Sequence, residues 1–236
     1  MGVTLRRDKG AALTHDEMDD NFDYLDKNPN GKTMPSAKGV GVTFDYDNPE
    51  FGWHDLRCEM LLEYEDGDSP TLEQYHGRIM QLAFEEDNSI TFNAHIPHDY
   101  LPGSDIFIHV HWSHNNQAVT GGSVVWGFEI SYAEGYGVAQ FCPTKTVSIL
   151  QEVSPVEPYT HFIAETSASI SSGSDTQLDS DLLTVDGLVL GRLHLLDNAI
   201  ETSDGSTVKP FAHFVDIHYK STGIPTPNRN PEFWNN

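Results

Sequence analysis

The sequence is poor in cysteine and in basic residues. Its 236 residues include two cysteines, and 13 Lys+Arg stand against 36 Asp+Glu, so the formal net charge is −23. Two cysteines do not make a disulfide scaffold, and we expect Cys58 and Cys142 to be free, buried thiols. A surface this acidic repels phosphate groups, which argues against nucleic acid as a partner.

Long apolar runs are also missing. No stretch approaches the roughly 18 apolar residues of a membrane span, and no apolar signal-peptide region follows the first methionine. We therefore expect neither membrane insertion nor export by a classical signal. The hydrophobic fraction of 38% and the aromatic fraction of 11% are nevertheless enough for a sizeable core.

Common catalytic motifs are absent too. The sequence contains no GxSxG, HExxH, P-loop or GxGxxG pattern. The chain is therefore predicted not to be an enzyme, to have no catalytic residues and to need no cofactor.

Residues 1–35 predict an anchoring segment with one short helix. Thr14 and Glu17 have the spacing of a capping box, which marks the start of a helix. Met18, Phe22 and Leu25 then recur at i, i+4 and i+7 and form a narrow apolar stripe on an acidic helix. A helix this short is marginal by itself, so we expect the three apolar side chains to be assembly contacts.

From residue 36 onward the hydrophobic pattern has a period of two. It predicts a mainly β protein, an antiparallel β-sandwich of jelly-roll-like form over residues 36–221. Residues 222–236 are rich in proline and asparagine and predict an extended C-terminal arm, in which Phe233 and Trp234 are further assembly contacts. The predicted strands are Lys38–Tyr46, Leu56–Leu62, Gln74–Phe84, Ser89–His95, Asp105–Ser113, Ser123–Ala133, Lys145–Gln151, Tyr159–Ile170, Leu183–Leu196 and Pro210–Ser221.

The stretch "IFIHVHWSH", residues 106–114, contains three histidines. Strand alternation places Phe107, His109 and His111 on one face, and on the other Ile106, Ile108, Val110 and Trp112. The interpretation that we favour is a polar strand face shared with Glu129, with Asp216 and His218 as further members. The alternative is a metal site, because two imidazoles two residues apart and one carboxylate form a common ligand set, here His109, His111 and Glu129.

A partial match to the cupin pattern accompanies that alternative. Gly103 precedes His109 and His111 at the spacing of the first cupin motif, and Gly191 and His194 fit the second. The glutamate of the first motif is missing, since asparagines occupy residues 115 and 116. A divergent cupin-like metalloenzyme is therefore the least favoured interpretation.

Two other stretches resemble proteins of tailed bacteriophages. "LRRDKGAALTHDEMDDNFDYLD" is similar to an N-terminal segment of tail fibres and other virion appendages with an "(L/P)LTxxExDxNF" motif. The body resembles phage structural proteins with a "PGxDIxxHVHW…GGxVxWxxEY" block and a "DIHYxSxGxPTxNRxPxF" block. Pro102–Trp112, Gly121–Tyr132 and Asp216–Phe233 carry this match.

The resemblance implies a structural component of a virion, an oligomeric tail or collar fibre or appendage protein. It implies a homotrimer whose partners are other virion proteins of the tail, collar or capsid, assembled in the host cytoplasm. The alternatives are a capsid decoration protein and a module that binds a host-surface glycan. For the glycan-binding module, loops 113–123 and 171–182 are the candidate contacts.

Overall fold

The computed structural model describes residues 12–16, 18, 33–35, 41–43, 51–61, 68–155, 157–167, 169–170 and 183–234. Contacts within the chain divide it into two compact units, Met1–Phe51 and Gly52–Asn236. Among the described residues, no helix is long and apolar enough to cross a membrane.

The first unit contains one β-hairpin pairing and one helical turn among its described residues. Strand β1 (Thr33–Pro35) pairs antiparallel with β2 (Gly41–Thr43). The Met18 N–H donates to the Thr14 carbonyl at 3.1 Å, as in the first turn of a helix. The rest of the predicted helix, with Phe22 and Leu25, lies outside the described residues, so the helix as a whole stays a prediction.

The second unit contains two main antiparallel sheets and a small strand pair. The five-stranded sheet has the order β11-β10-β13-β7-β4, and the six-stranded sheet has the order β12-β8-β15-β6-β5, with β3 also paired to β15. The strands are β3 (Gly52–Arg57), β4 (Glu59–Leu61), β5 (Thr71–His76), β6 (Ile79–Ala83), β7 (Ser89–His95), β8 (Ile106–Ser113), β9 (Val119–Gly121), β10 (Ser123–Ala133), β11 (Lys145–Glu152), β12 (Phe162–Glu165), β13 (Leu188–Asn198), β14 (Glu201–Thr202) and β15 (Phe211–Ser221).

The core lies between the two main sheets. It is built from alternate residues of the long strands, because successive side chains of a strand point to opposite faces. Trp112 of β8 and Trp126 of β10 are fully buried, and their ring centroids are 6.2 Å apart across the sheets. The prediction of a mainly antiparallel β-sandwich is therefore confirmed.

Several strand bounds differ from the sequence-based ones. The stretch Gln74–Phe84, predicted as one strand, belongs to a hairpin of β5 and β6 that turns at Gly77, whose φ is +60°. Glycine adopts this left-handed conformation without the steric cost that a side chain would bring. The alternating pattern continues on both sides of the turn, which is why periodicity alone did not separate the two strands.

A β-bulge interrupts β15 near its start. Ala212 is opposite Trp112, but Phe214 is opposite His111, so His213 is one extra residue in the ladder. A bulge shifts the side-chain alternation by one position. It turns Phe214 and the residues that alternate with it toward the outer side of the six-stranded sheet.

The C-terminal arm folds back on the second unit instead of extending freely. The Thr226 N–H donates to the His98 carbonyl at 3.0 Å, and the Tyr136 hydroxyl donates to the Arg229 carbonyl at 3.0 Å. The Asn228 N–H donates to the Phe233 carbonyl at 3.3 Å and closes a turn. These hydrogen bonds attach residues 222–234 to the body of the same unit.

Both cysteines are free thiols, as predicted. Cys58 is buried and Cys142 is half-buried. Burial raises the pKa of the Cys58 thiol far above its usual range, so this thiol stays protonated and unreactive.

Candidate functional site

Four strands of the six-stranded sheet carry a cluster of histidine, carboxylate and aromatic side chains on its outer side. Directly paired residues share one side of an antiparallel sheet. One row runs from Glu165 through His109 and Asp216 to Arg57. We name this surface the histidine face; its members are Asp55, Arg57, Phe107, His109, His111, Glu165, Phe214, Asp216 and His218.

The alternation of β8 and the bulge of β15 together produce the histidine face. The core cluster includes Ile106, Ile108, Val110 and Trp112 of β8 and excludes the residues that alternate with them. Both imidazoles are nevertheless buried, with His109 1% and His111 9% exposed. Neighbouring rings cover them, because His218 lies 4.2 Å from His109 and Phe214 stacks 4.1 Å from His111, between ring centroids.

Three side chains of types that can bind a metal ion converge at the middle of this face. The Nε2 atoms of His109 and His111 are 3.0 Å apart. Oδ2 of Asp216 lies 3.8 Å from the first nitrogen and 3.5 Å from the second. Asp216 is 6% exposed, so all three groups are buried together.

Burial sets the charge of these groups. It lowers the pKa of His109 to about 3, and the neighbouring imidazoles of His218 and His111 act in the same direction. Burial is also the main cause that lowers the pKa of His111 to about 4, and the neighbouring imidazole of His161 is the next largest. Burial also raises the pKa of Asp216 above its ordinary value. Both imidazoles are therefore neutral at neutral pH, which is the protonation state that binds a cation.

His218 occupies the next row of the face and has both ring nitrogens engaged. Its Nε2 lies 2.8 Å from Oδ1 of Asp55, and its Nδ1 forms a short contact with Oε2 of Glu165. The same Glu165 oxygen lies 3.7 Å from Nδ1 of His109. The two exposed carboxylates thus hold His218 against the ring of His109.

The structure separates Glu129 from the two histidines with which the sequence analysis grouped it. Glu129 belongs to β10 in the five-stranded sheet. Its Oε2 lies 3.5 Å from Nε2 of His194 and 4.0 Å from Nη1 of Arg192. The two halves of the cupin-like pattern are separated in the same way, because His194 is on β13 of that sheet. Asp216, from β15, takes the place that the sequence analysis gave to Glu129.

Sequence reasoning found Asp216 and His218 and missed Asp55, Glu165 and His161. His161 precedes β12, and its Nε2 lies 2.7 Å from Nδ1 of His111. Nothing in the local pattern of these three residues marks them, since Asp55 and Glu165 join the face through strand pairing and His161 contacts His111 from the position before β12. The sequence pattern does not show which strands are neighbours in a sheet.

The predicted assembly contacts lie in different surroundings. Met18 is exposed, and Phe22 and Leu25 lie outside the described residues. The ring of Phe233 makes edge contacts with His98 and Tyr136 of its own chain. Trp234 is 48% exposed.

One tryptophan lies beside the histidine face. Trp53 is 48% exposed, its ring meets Phe107 edge-on at 5.5 Å, and the Lys220 ammonium lies 5.4 Å from its ring centroid. The structure buries Trp112 and Trp126 in the core and leaves Trp53 at the surface.

Comparison with known proteins yields no family. No family model and no curated protein matches the chain. Solved structures that align with it include the carbohydrate-binding module TmCBM61 in complex with β-1,4-galactotriose, at 9% identity and a TM-score of 0.25, covering 71% of this chain and 88% of that one. CBM28, a module specific for non-crystalline cellulose, aligns at 12% identity and a TM-score of 0.24, covering 69% and 85%. Scores this low carry no information on the function of this chain.

Proposed function

We propose that this chain is a structural component of a tailed-bacteriophage virion, an oligomeric tail or collar appendage protein. One observation carries the proposal: the sequence blocks that resemble phage proteins coincide with interior strands of both sheets. Pro102–Trp112 includes most of β8, Gly121–Tyr132 covers most of β10, and Asp216–Phe233 runs from β15 into the arm. Each of these strands has neighbours on both sides. The resemblance therefore includes interior strands of both sheets, together with the loop before β8 and the arm after β15.

Assembly of such a protein rests on buried apolar surface within an acidic exterior. The charge of −23 keeps the chain soluble at the high local concentration of a particle. Exposed Met18 and Trp234 supply apolar contacts toward virion partners or sister subunits, and Phe22, Leu25 and Phe233 complete the proposed set. A homotrimer and a jelly-roll connectivity of the body form part of the proposal.

The test is incorporation of a truncated chain into particles. Removal of residues 1–35 is expected to leave the far-UV circular dichroism of the second unit unchanged, because the removed residues all belong to the first unit. Particles assembled with the truncated chain are expected to lack it on mass spectrometry, whereas particles with the full chain contain it. Light scattering of the full chain is expected to give three times its mass of 26.3 kDa.

Two results would overturn the proposal in part or whole. Absence of the full chain from purified particles would remove the virion assignment. Normal incorporation of the truncated chain would remove the anchoring role of residues 1–35 and leave the assignment itself standing.

A second candidate function, binding of a host-surface glycan, is favoured by the surroundings of Trp53. A half-exposed tryptophan offers an apolar plane to a sugar ring, and the adjoining carboxylates and imidazoles of the histidine face offer hydrogen bonds to hydroxyl groups. A groove of about 530 Å³ adjoins the same face. Its lining residues are Arg57, Cys58, Glu59, Met60, Leu61 and Phe214.

A glycan array with two tryptophan variants tests this candidate. Trp53→Ala is expected to abolish binding, whereas Trp234→Ala is the matched control, since both side chains are 48% exposed. An array without signal for the unmodified chain, or equal loss in both variants, would exclude the face around Trp53 as a glycan site. Of the two loops predicted to contact a glycan, 113–123 includes strand β9, and 171–182 lies outside the described residues.

A further inference from the structure

We propose that the histidine face contains a metal site in which Nε2 of His109, Nε2 of His111 and Oδ2 of Asp216 bind one divalent transition-metal ion of the zinc or ferrous type. Two imidazoles and one carboxylate form a ligand set for such ions, whereas Ca²⁺ and Mg²⁺ prefer oxygen alone. The proposal is independent of the virion assignment, because it rests only on the geometry of three side chains.

The distances among the three ligand atoms fit a shared ion. Bonds of about 2.0–2.2 Å at tetrahedral or octahedral angles separate neighbouring ligand atoms by about 3.0–3.5 Å. The three separations here are 3.0, 3.5 and 3.8 Å. Side-chain shifts of a few tenths of an ångström would complete the triangle.

Burial without hydrogen-bond partners is the second, independent observation. Within the described part of the chain, Oδ1 of Asp216 is buried and has no hydrogen-bond partner. A buried carboxylate that lacks donors is unfavourable, and a bound cation is one of the few groups that compensates it. Arg57 is the cross-strand neighbour of Asp216, but among the described residues no lysine or arginine forms an ion pair with Asp216 within 4.0 Å.

The groups behind the two imidazoles suit metal binding as well. A metal-bound histidine carries its proton on the nitrogen that faces away from the ion, where an acceptor usually fixes it. Nδ1 of His111 lies 2.7 Å from Nε2 of His161, whereas the nearest carboxylate oxygen to Nδ1 of His109 is Oε2 of Glu165 at 3.7 Å, beyond hydrogen-bond distance. The two Nε2 atoms are at hydrogen-bond distance from each other, so without an ion one can donate to the other, and with both protons on Nδ1 an ion takes the place of that bond.

A neighbouring histidine shows what a purely structural one looks like in this sheet. His213, the extra residue of the bulge, has Nε2 2.8 Å from the Ser113 hydroxyl and Nδ1 3.1 Å from Oε1 of Gln81. Both nitrogens are thus satisfied by neutral groups. His218 is satisfied by its two carboxylates, so the alternative set of Asp55, His109 and His218 is a weaker ligand group.

Metal titration of the full chain tests the proposal. After treatment with a chelator and dialysis, the chain is expected to bind about one equivalent of Zn²⁺, measured by calorimetry and by elemental analysis. Co²⁺ is expected to give visible absorption bands of a site with nitrogen and oxygen ligands. Zn²⁺ is also expected to raise the melting temperature, because it binds the folded state in preference to the unfolded one.

Three variants assign the ligands. Asp216→Asn and His111→Gln are expected to weaken Zn²⁺ binding at least about tenfold. His213→Gln, the matched control on the same strand, is expected to bind as the unmodified chain does. Failure of the full chain to bind stoichiometric Zn²⁺ or Co²⁺, or unchanged binding by folded Asp216→Asn, would overturn the proposal. The titration of the unmodified chain decides the matter even where a variant does not fold.

Discussion

Gly191 of β13 lies directly beneath the aromatic ring of Phe92. A Cβ atom at this position would lie 2.0 Å from Cζ of Phe92, which is 2% exposed and pairs with Gly191 across the two strands. We expect Gly191→Ala to destabilise the fold by about 1–3 kcal/mol, because a buried ring cannot move aside without repacking the core. Urea unfolding followed by tryptophan fluorescence measures the change.

Gly127 of β10 provides the control for this substitution. A Cβ there would meet the Leu196 side chain at 2.6 Å, but Leu196 is 46% exposed and free to turn into solvent. Gly127→Ala is therefore expected to cost clearly less than Gly191→Ala. Equal effects of the two substitutions would contradict the role assigned to Phe92.

The buried histidines make stability depend on pH. Burial lowers the pKa values of His114 and His213 below the unfolded value of about 6.5. Below that value the unfolded chain binds more protons than the folded chain, so stability is present above about pH 6.5 and falls as the pH falls. We expect the urea midpoint to decrease between about pH 7.5 and about pH 5.

His114→Gln is expected to make that decrease smaller, because glutamine does not titrate in this range. The measurement is the urea midpoint of both chains at each pH, under equal ionic strength. An identical pH profile for the two chains would show that His114 contributes nothing to the acid sensitivity.

At the level of elements, the bulge at His213 determines which side chains of β15 face outward. Without the extra residue, Asp216 and His218 would turn toward the core, and Val215, Ile217 and Tyr219 would turn outward. Deletion of His213 is therefore expected to abolish cooperative folding, since it buries two polar groups among apolar side chains. Soluble yield and circular dichroism measure the effect.

His213→Gln keeps the length of β15 and is the matched control for this deletion. It is expected to remain folded with only a modest loss of stability, because glutamine still bonds to neighbouring polar groups. A folded deletion variant would mean that the register of β15 is not set by the bulge.

The bulge in β15 could not be predicted from the sequence. Pro210–Ser221 was predicted as one uninterrupted strand, whereas in the structure His213 is an extra residue whose ring nitrogens contact Ser113 and Gln81. Because Phe211, Ala212 and Phe214 are all apolar, the sequence alone does not show where the alternation shifts.

Strand periodicity predicted only part of the candidate site. Periodicity placed His109 and His111 together, because both belong to one strand. Glu129 was grouped with them wrongly in space, since no local pattern says that β10 and β8 belong to different sheets. Glu165 entered the face through the pairing of β12 with β8, which only the folded chain reveals.

For the whole molecule, the excess of acidic residues predicts a response to salt. A formal net charge of −23 makes the compact state repel itself, and dissolved ions screen that repulsion. We expect the melting temperature to rise as NaCl is increased from about 20 mM to about 300 mM. Differential scanning calorimetry measures it.

Potassium glutamate at the same ionic strength is the control for effects specific to chloride. A melting temperature that falls with both salts would indicate that attractive ion pairs, such as Lys209 with Glu73 and Glu85, outweigh the general repulsion.

The pairing of β8 with β15 has a consequence for how the chain reaches its native state. Ser113 and His213, which bond across this pair, are 100 residues apart in the sequence. Strand pairs of such long range form late, because the conformational entropy of closing a large loop is lost before the stabilising contacts form. β15 is also the last strand of the described chain and lies in the middle of the six-stranded sheet. During synthesis it therefore leaves the ribosome after the strands that it pairs with. Until that moment β8 has an open edge, and newly made chains are most exposed to wrong pairing during this interval.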